Sequence, residues 1–195
     1  MNRVRTFAVT ALSAAVLAGG VSLATATSAS AGPISGGVEQ PGESQDAGST
    51  GGIDDPGELS EEQIDNARTI IGVGKGADLS EHAQKIAVMT ALQESSLNDL
   101  DGGDRDSAGS FQQRPSAGWG STDEVTDTVY ASKAFYGVDS GTDNPGLTQI
   151  DNWESIDPGA AAQEVQRSAF PDEYAKWEPL AEKLVDENQD VDSID

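Results

Sequence analysis

The chain has 195 residues, a formal net charge of −23 and no cysteine. Such acidity argues against a nucleic-acid partner, because phosphate binding wants a basic face. The missing cysteine excludes disulfides, a lipoprotein anchor and a papain-like nucleophile, so stability has to come from core packing alone.

The first 31 residues read as a secretory signal peptide. Arg3 and Arg5 form a positive start, Phe7 to Leu23 is apolar apart from small residues, and Ala29-Ser30-Ala31 is a cleavage signature. The apolar part is diluted by small polar residues, so no stable membrane insertion is expected. Loss of Arg3 and Arg5 takes the charge to −25. Residues 32–57 are Gly, Ser, Pro, Gln and acid, a composition that cannot offset chain entropy, and are expected to be a flexible linker. Residues 58–185 then form one domain, with 24 acids against 9 bases. Residues 186–195 carry five acids and no base and are expected to be a disordered, solvated tail. The surface is read as adapted for solubility or for high salt, where screening relieves its self-repulsion. The chain is expected to act as a secreted monomer.

The domain is expected to be mainly α. Ser60-Glu61-Glu62-Gln63 is a capping box, followed by Ile64, Ala67, Ile70 and Ile71 at helical spacing, with Gly72 and Gly74 ending the helix. Ser80 caps a second helix through Ala83, Ile86, Ala87, Thr90 and Ala91 to Glu94. It is apolar on most sides and should be central. Residues 98–120 read as a long ordered loop, with Ser107 to Gln113 as a small β-hairpin. Ser121-Thr122-Asp123-Glu124 is another capping box, leading to a helix face of Val129, Tyr130, Ala134 and Phe135. Asp157-Pro158 starts a further helix, and Pro171 opens the last one, with Tyr174 and Trp177 inward and a kink or restart at Pro179.

Glu94 carries the chemistry. A carboxylate at the end of a buried helix is costly, since desolvation and the helix dipole both disfavour its charge. The raised pKa that follows suits a general acid protonating a glycosidic oxygen. Four acids follow, Asp99, Asp101, Asp104 and Asp106; one could act as a second carboxylate, or they simply order the loop with Arg105. Their spacing fails the EF-hand pattern. His82, the single histidine, is expected on the surface and leaves too few ligands for a zinc enzyme. Asp139-Ser140-Gly141 lacks the nucleophile elbow of a Ser-His-Asp enzyme. No metal and no cofactor are expected.

Taken together, Glu94-Ser95, then Ser107-Ala108-Gly109-Ser110-Phe111-Gln112 and Pro115, resemble the lysozyme-like superfamily of soluble lytic transglycosylases and goose-type lysozymes, in a form seen in secreted actinobacterial proteins. The clearest match covers Leu92 to Trp119 and a looser one Glu58 to Val185. The resemblance implies a lysozyme-like helical domain, Glu94 as catalytic acid, and cleavage of the β-1,4 bond between N-acetylmuramic acid and N-acetylglucosamine in peptidoglycan. The implied family manages without a second acid, because the sugar's own N-acetyl group assists. Ser95, Gln112, Gln113, Tyr130 and Tyr174 are the candidate substrate contacts. The family's Gln falls on Gln112, either contacting sugar or ordering the loop; Gly109 allows a turn or a close backbone approach. The aromatic residues either stack on sugars or fill the core. The family's late Ala-Tyr-Asn-Ala-Gly stretch is missing: the chain reads Val165-Gln166-Arg167-Ser168-Ala169-Phe170-Pro171, with Tyr174 as candidate replacement for the Tyr. A non-catalytic wall-binding module on the same fold is the alternative; an acidic adaptor for cationic proteins is a third reading.

Overall fold

The computed structural model describes residues 55–195. The expected signal peptide and all but the last three residues of the expected linker lie outside them. Those three belong to the folded unit: Asp55 caps a 3-10 turn at Pro56–Glu58, and Pro56 is buried. Six α-helices form the described part, which is mainly helical: α1 Glu61–Gly76, α2 Glu81–Ser95, α3 Thr122–Val125, α4 Thr128–Tyr136, α5 Pro158–Gln166 and α6 Glu178–Glu187. No helix among the described residues is long and apolar enough to cross a membrane.

Helix α2 is the centre. Its run Ile86, Ala87, Val88, Met89, Ala91, Leu92 is fully buried, and α1, α4, α5 and α6 pack against it. Burying each large side chain of that run stabilises by roughly 1.5–3 kcal/mol. Phe111 from the long loop stacks on Phe135 of α4 at 4.9 Å, tying loop to core. The expected hairpin is a tight turn closed by a single antiparallel bridge, Ala108 with Gln113. Left-handed backbone at Gly109 and Gln112 folds the segment too sharply for a ladder to extend.

Helix α1 passes through Gly72 and Gly74 and ends at Gly76. Those glycines are contact points rather than terminators. A Cβ on Gly72 would lie 2.9 Å from the Asp192 carbonyl oxygen, and one on Gly74 2.9 Å from the Tyr136 hydroxyl. The partner in the first contact is the C-terminal segment, so the expected solvated tail is corrected. Ile194 N–H donates to the Gly72 carbonyl at 2.9 Å. Lys75 Nζ donates to the carbonyls of Gln189 and Val191 at 2.7 and 2.6 Å, and Arg68 reaches Asn188 and Asp190. Val191 is buried. The acid count concealed two apolar anchors and backbone carbonyls held by a lysine on α1.

Two further boundaries differ from the sequence reading. The capping box at Ser121 forms, but its helix stops after one turn because Asp127 caps α4, accepting from the amides of Val129 and Tyr130. The last helix begins at Glu178 with Pro179 in its first turn, and a 3-10 turn at Ala175–Trp177 precedes it. Tyr174 and Trp177 are buried there as expected.

Candidate active site around Glu94

Glu94 is the penultimate residue of α2, which closes on two consecutive left-handed residues, Ser96 and Leu97. Leu97 N–H returns to the Ala91 carbonyl at 3.1 Å, and Asn98 Nδ2 caps the Ser95 carbonyl at 2.7 Å. The chain is thereby turned away and the last turn of α2 is held open toward the segment after α5. Gln93 is braced from the same segment, its Oε1 accepting from Trp177 Nε1 at 2.7 Å.

Tyr174 donates its hydroxyl proton to Glu94 Oε1 at 2.6 Å. Glu94 retains partial access to solvent, yet burial raises its pKa above the ordinary carboxyl value. Hydrogen bonds from Tyr174 and Gln166 pull the other way and are outweighed. Tyr174 is itself pushed upward, by burial first and then by the charge of Glu94, so it stays a donor across the physiological range. Among the described residues no second carboxylate is one of the groups that shift Glu94.

Gln166 links the carboxyl to a cavity. Its Nε2 donates to the Phe111 carbonyl at 2.7 Å, and with Gln112, Gln113, Arg114, Trp119 and Arg167 it lines a space of about 300 Å³. Glu94 does not itself line that space; the cavity adjoins the acid through Gln166.

The candidate contacts separate into different roles. Ser95 is buried and its hydroxyl donates to the Ser110 carbonyl at 2.8 Å, so it fastens the loop to α2 and is not presented to a ligand. Gln112 lines the cavity while its amide is engaged within the loop, accepting from Ser107 Oγ and donating to the Gly109 carbonyl. Gln113 also lines the cavity at 2% exposure; its Nε2 donates to the Ala131 carbonyl, while its Oε1 is buried without a donor. Tyr130 is not brought to Glu94. Its hydroxyl donates to the Trp119 carbonyl at 3.1 Å, supporting that wall of the cavity from behind.

The Asp cluster is mostly loop structure. Asp106 accepts from Ser116 and Arg114, and those bonds, the Ser116 hydroxyl first, hold its carboxyl down at about 2. Asp99 is raised by partial burial and then by Asp101, Asp127 and Glu62. His82 is not a free surface residue: it is half-buried, stacked 6.2 Å from Trp153, with Nε2 lacking a partner. Among the described residues no group of three or more His, Cys, Asp or Glu is placed to hold a metal.

Sequence reasoning missed Gln166, Arg167 and the bracing of Gln93 by Trp177. The stretch 165–171 was visible only as a departure from a motif, and nothing in its residue types announces proximity to Glu94. Searches of protein-family models and of curated proteins return no match for the chain.

Removing the Tyr174 hydroxyl tests the site directly. In Tyr174→Phe the Glu94 carboxylate loses a donor to its charged form, so its pKa rises further. The alkaline limb of any acid-catalysed activity should then move to higher pH, with rates down about tenfold from lost orientation. A limb that stays in place, or moves to lower pH, would show that Tyr174 does not govern Glu94.

Proposed function

We propose that the protein is a secreted glycosidase that cuts peptidoglycan glycan strands, with Glu94 as general acid. The observation that carries this reading is the Glu94 carboxyl itself. It is held at the end of a buried helix by the Tyr174 hydroxyl at 2.6 Å, with its pKa raised by burial, beside a cavity of about 300 Å³. The resemblance of residues 92–119 to soluble lytic transglycosylases and goose-type lysozymes supplies the substrate: the β-1,4 bond from N-acetylmuramic acid to N-acetylglucosamine.

In this mechanism the proton on Glu94 passes to the glycosidic oxygen as the C1–O bond breaks. Positive charge then develops on the ring, and the sugar's own N-acetyl oxygen attacks C1 in place of a second enzyme carboxylate. This fits a Glu94 whose pKa is governed, among the described residues, by burial and by the Tyr174 and Gln166 hydrogen bonds. The ionised Glu94, steadied by the Tyr174 hydroxyl, next takes a proton from the sugar's 6-hydroxyl or from water as that oxygen attacks C1 and the bond from C1 to the N-acetyl oxygen breaks, giving an anhydro product in the first case and a hydrolysed one in the second. Gln166 and Tyr174 position the acid; neither needs to change protonation state.

A second reading, a non-catalytic wall-binding module, is favoured by one observation: Glu94 meets the cavity only through Gln166. Mass analysis of fragments from purified peptidoglycan treated with the full chain separates the two. Muropeptides lighter by one water indicate the transglycosylase reaction, and full-mass reducing ends indicate hydrolysis. Binding with no fragments would sink the enzyme and favour the module.

A further inference from the structure

The backbone that follows Glu94 and Ser95 is strained. Ser96 and Leu97 are consecutive left-handed residues at φ 56° and 62°, and neither is glycine. A helix end of this kind commonly takes glycine, and a second left-handed residue adds to the cost. Such strain persists only where the surrounding structure over-determines it, and it gathers at functional sites. Leu97 is fully buried, so the core holds its side chain in place. Ser96 is only half-buried and has no such anchor of its own.

Helix α1 supplies the hold. Gln63 Nε2 donates to the Ser96 carbonyl at 2.7 Å, and Asn66 Nδ2 donates to the Leu97 carbonyl at 2.9 Å. The two donors share one face of α1 and meet two successive carbonyls. Asn98 Nδ2 adds a longer bond to the Ser96 carbonyl, at 3.2 Å. The polar seam continues into the loop. Asn66 Oδ1 accepts from Thr128 Oγ1 at 3.5 Å, Thr128 Oγ1 meets Ser110 Oγ at 3.3 Å, and the Ser110 carbonyl accepts from Ser95 Oγ at 2.8 Å. It thus returns to the residue next to Glu94. Among the described residues the carboxyl itself is bonded by Tyr174 and Gln166, so α1 acts on it only through the backbone.

We propose that Gln63 and Asn66 are positioning residues of the Glu94 site: by clamping the strained Ser96–Leu97 exit they keep the carboxyl in its buried place against Tyr174. The reaction that the carboxyl serves is taken from the glycan-cleaving reading, on which the proposal rests. Without the clamp the left-handed pair relaxes, the last turn of α2 frays and water reaches Glu94. Burial is the largest cause of its raised pKa, so freer access of water brings that pKa down toward the ordinary carboxyl value. Replacing either amide by alanine changes no charge, so no Coulomb effect imitates the shift.

The test uses the full chain with isotope-labelled glutamate and follows the Glu94 carboxyl by NMR as pH is varied. The resonance lost in Glu94→Gln identifies it. Gln63→Ala combined with Asn66→Ala should move the midpoint down, and each single variant should show part of the shift. The double variant should also lower kcat on a soluble N-acetylglucosamine–N-acetylmuramic acid oligomer about tenfold, with KM unchanged. Gln63 closes the capping box as well, its Oε1 accepting from Ser60 N–H at 2.9 Å. Ser60→Ala is therefore the control: it lowers the melting temperature through the same cap and leaves the Glu94 titration in place. Ser96→Gly added to Gln63→Ala relieves the left-handed strain and should return the midpoint toward native. A midpoint that stays or rises in the double variant overturns the clamp. So does an equal shift in Ser60→Ala, or no return with Ser96→Gly. The titration needs no activity, so the two readings fail separately. A lowered midpoint in variants of a chain that cuts no glycan refutes the glycosidase alone. Native midpoint and native kcat in the double variant refute the clamp alone.

Discussion

Replacing Glu94 by glutamine should lower glycan cleavage by about 10²- to 10⁴-fold, the usual contribution of general acid catalysis. Glutamine keeps the shape, and its carbonyl still accepts from Tyr174, whose hydroxyl lies 2.6 Å from Oε1 in the native chain. What it lacks is an acidic proton. Folding should survive and gain at neutral pH. Burial raises the folded pKa of Glu94 above its ordinary 4.5, so the native state holds that proton more tightly than the unfolded chain. Stability therefore falls as pH climbs from the ordinary value through the raised one. Glu94→Gln has no titrating group there and lacks that decline. Cleavage and melting temperature measured together across pH decide the matter: near-normal cleavage would remove Glu94 from the mechanism, and a steeper loss of stability toward neutral pH would contradict its burial.

The second large effect is on Gly109. It sits at φ 75°, and a Cβ built there would lie 1.8 Å from the Val125 carbonyl oxygen. Its N–H also donates to the Leu100 carbonyl at 2.7 Å, so the turn cannot simply slide outward. Gly109→Ala combines left-handed strain with a clash against backbone, and should cost on the order of 2–4 kcal/mol. For a domain of this size that lowers the melting temperature by roughly 10 °C. Activity should fall with it, because the turn carries Gln112 and Gln113, and Ser110 is the loop's tie to Ser95. Gly102 is the control: a Cβ there meets nothing within 4 Å, so Gly102→Ala should stay within about 0.5 kcal/mol of the parent. Equal melting temperatures for the two variants would show that the turn at Gly109 relaxes freely.

The sequence alone determined the helical class, the central place of α2 and several helix starts, because these depend on local chemistry. Ser60, Ser80, Ser121 and Asp157 cap the amides that follow them as their spacing predicts. The apolar run from Ile86 to Leu92 has no polar face to turn outward, so it had to be buried. That also marked Glu94 as a candidate, two residues beyond the run at the end of a buried helix, although the burial that raises its pKa is set by what packs around it.

Only the tertiary structure decided which groups meet that carboxyl. Tyr174 is 80 residues away along the chain, and Gln166 reaches Phe111 across 55; neither separation follows from periodicity or capping. The glycines of α1 read as helix breakers because their low propensity is a local property, whereas the close approach of Asp192 and Ile194 to Gly72 and of Tyr136 to Gly74 is not. The acidic end read as solvated because charge was counted without Lys75, which binds its backbone carbonyls rather than its carboxylates.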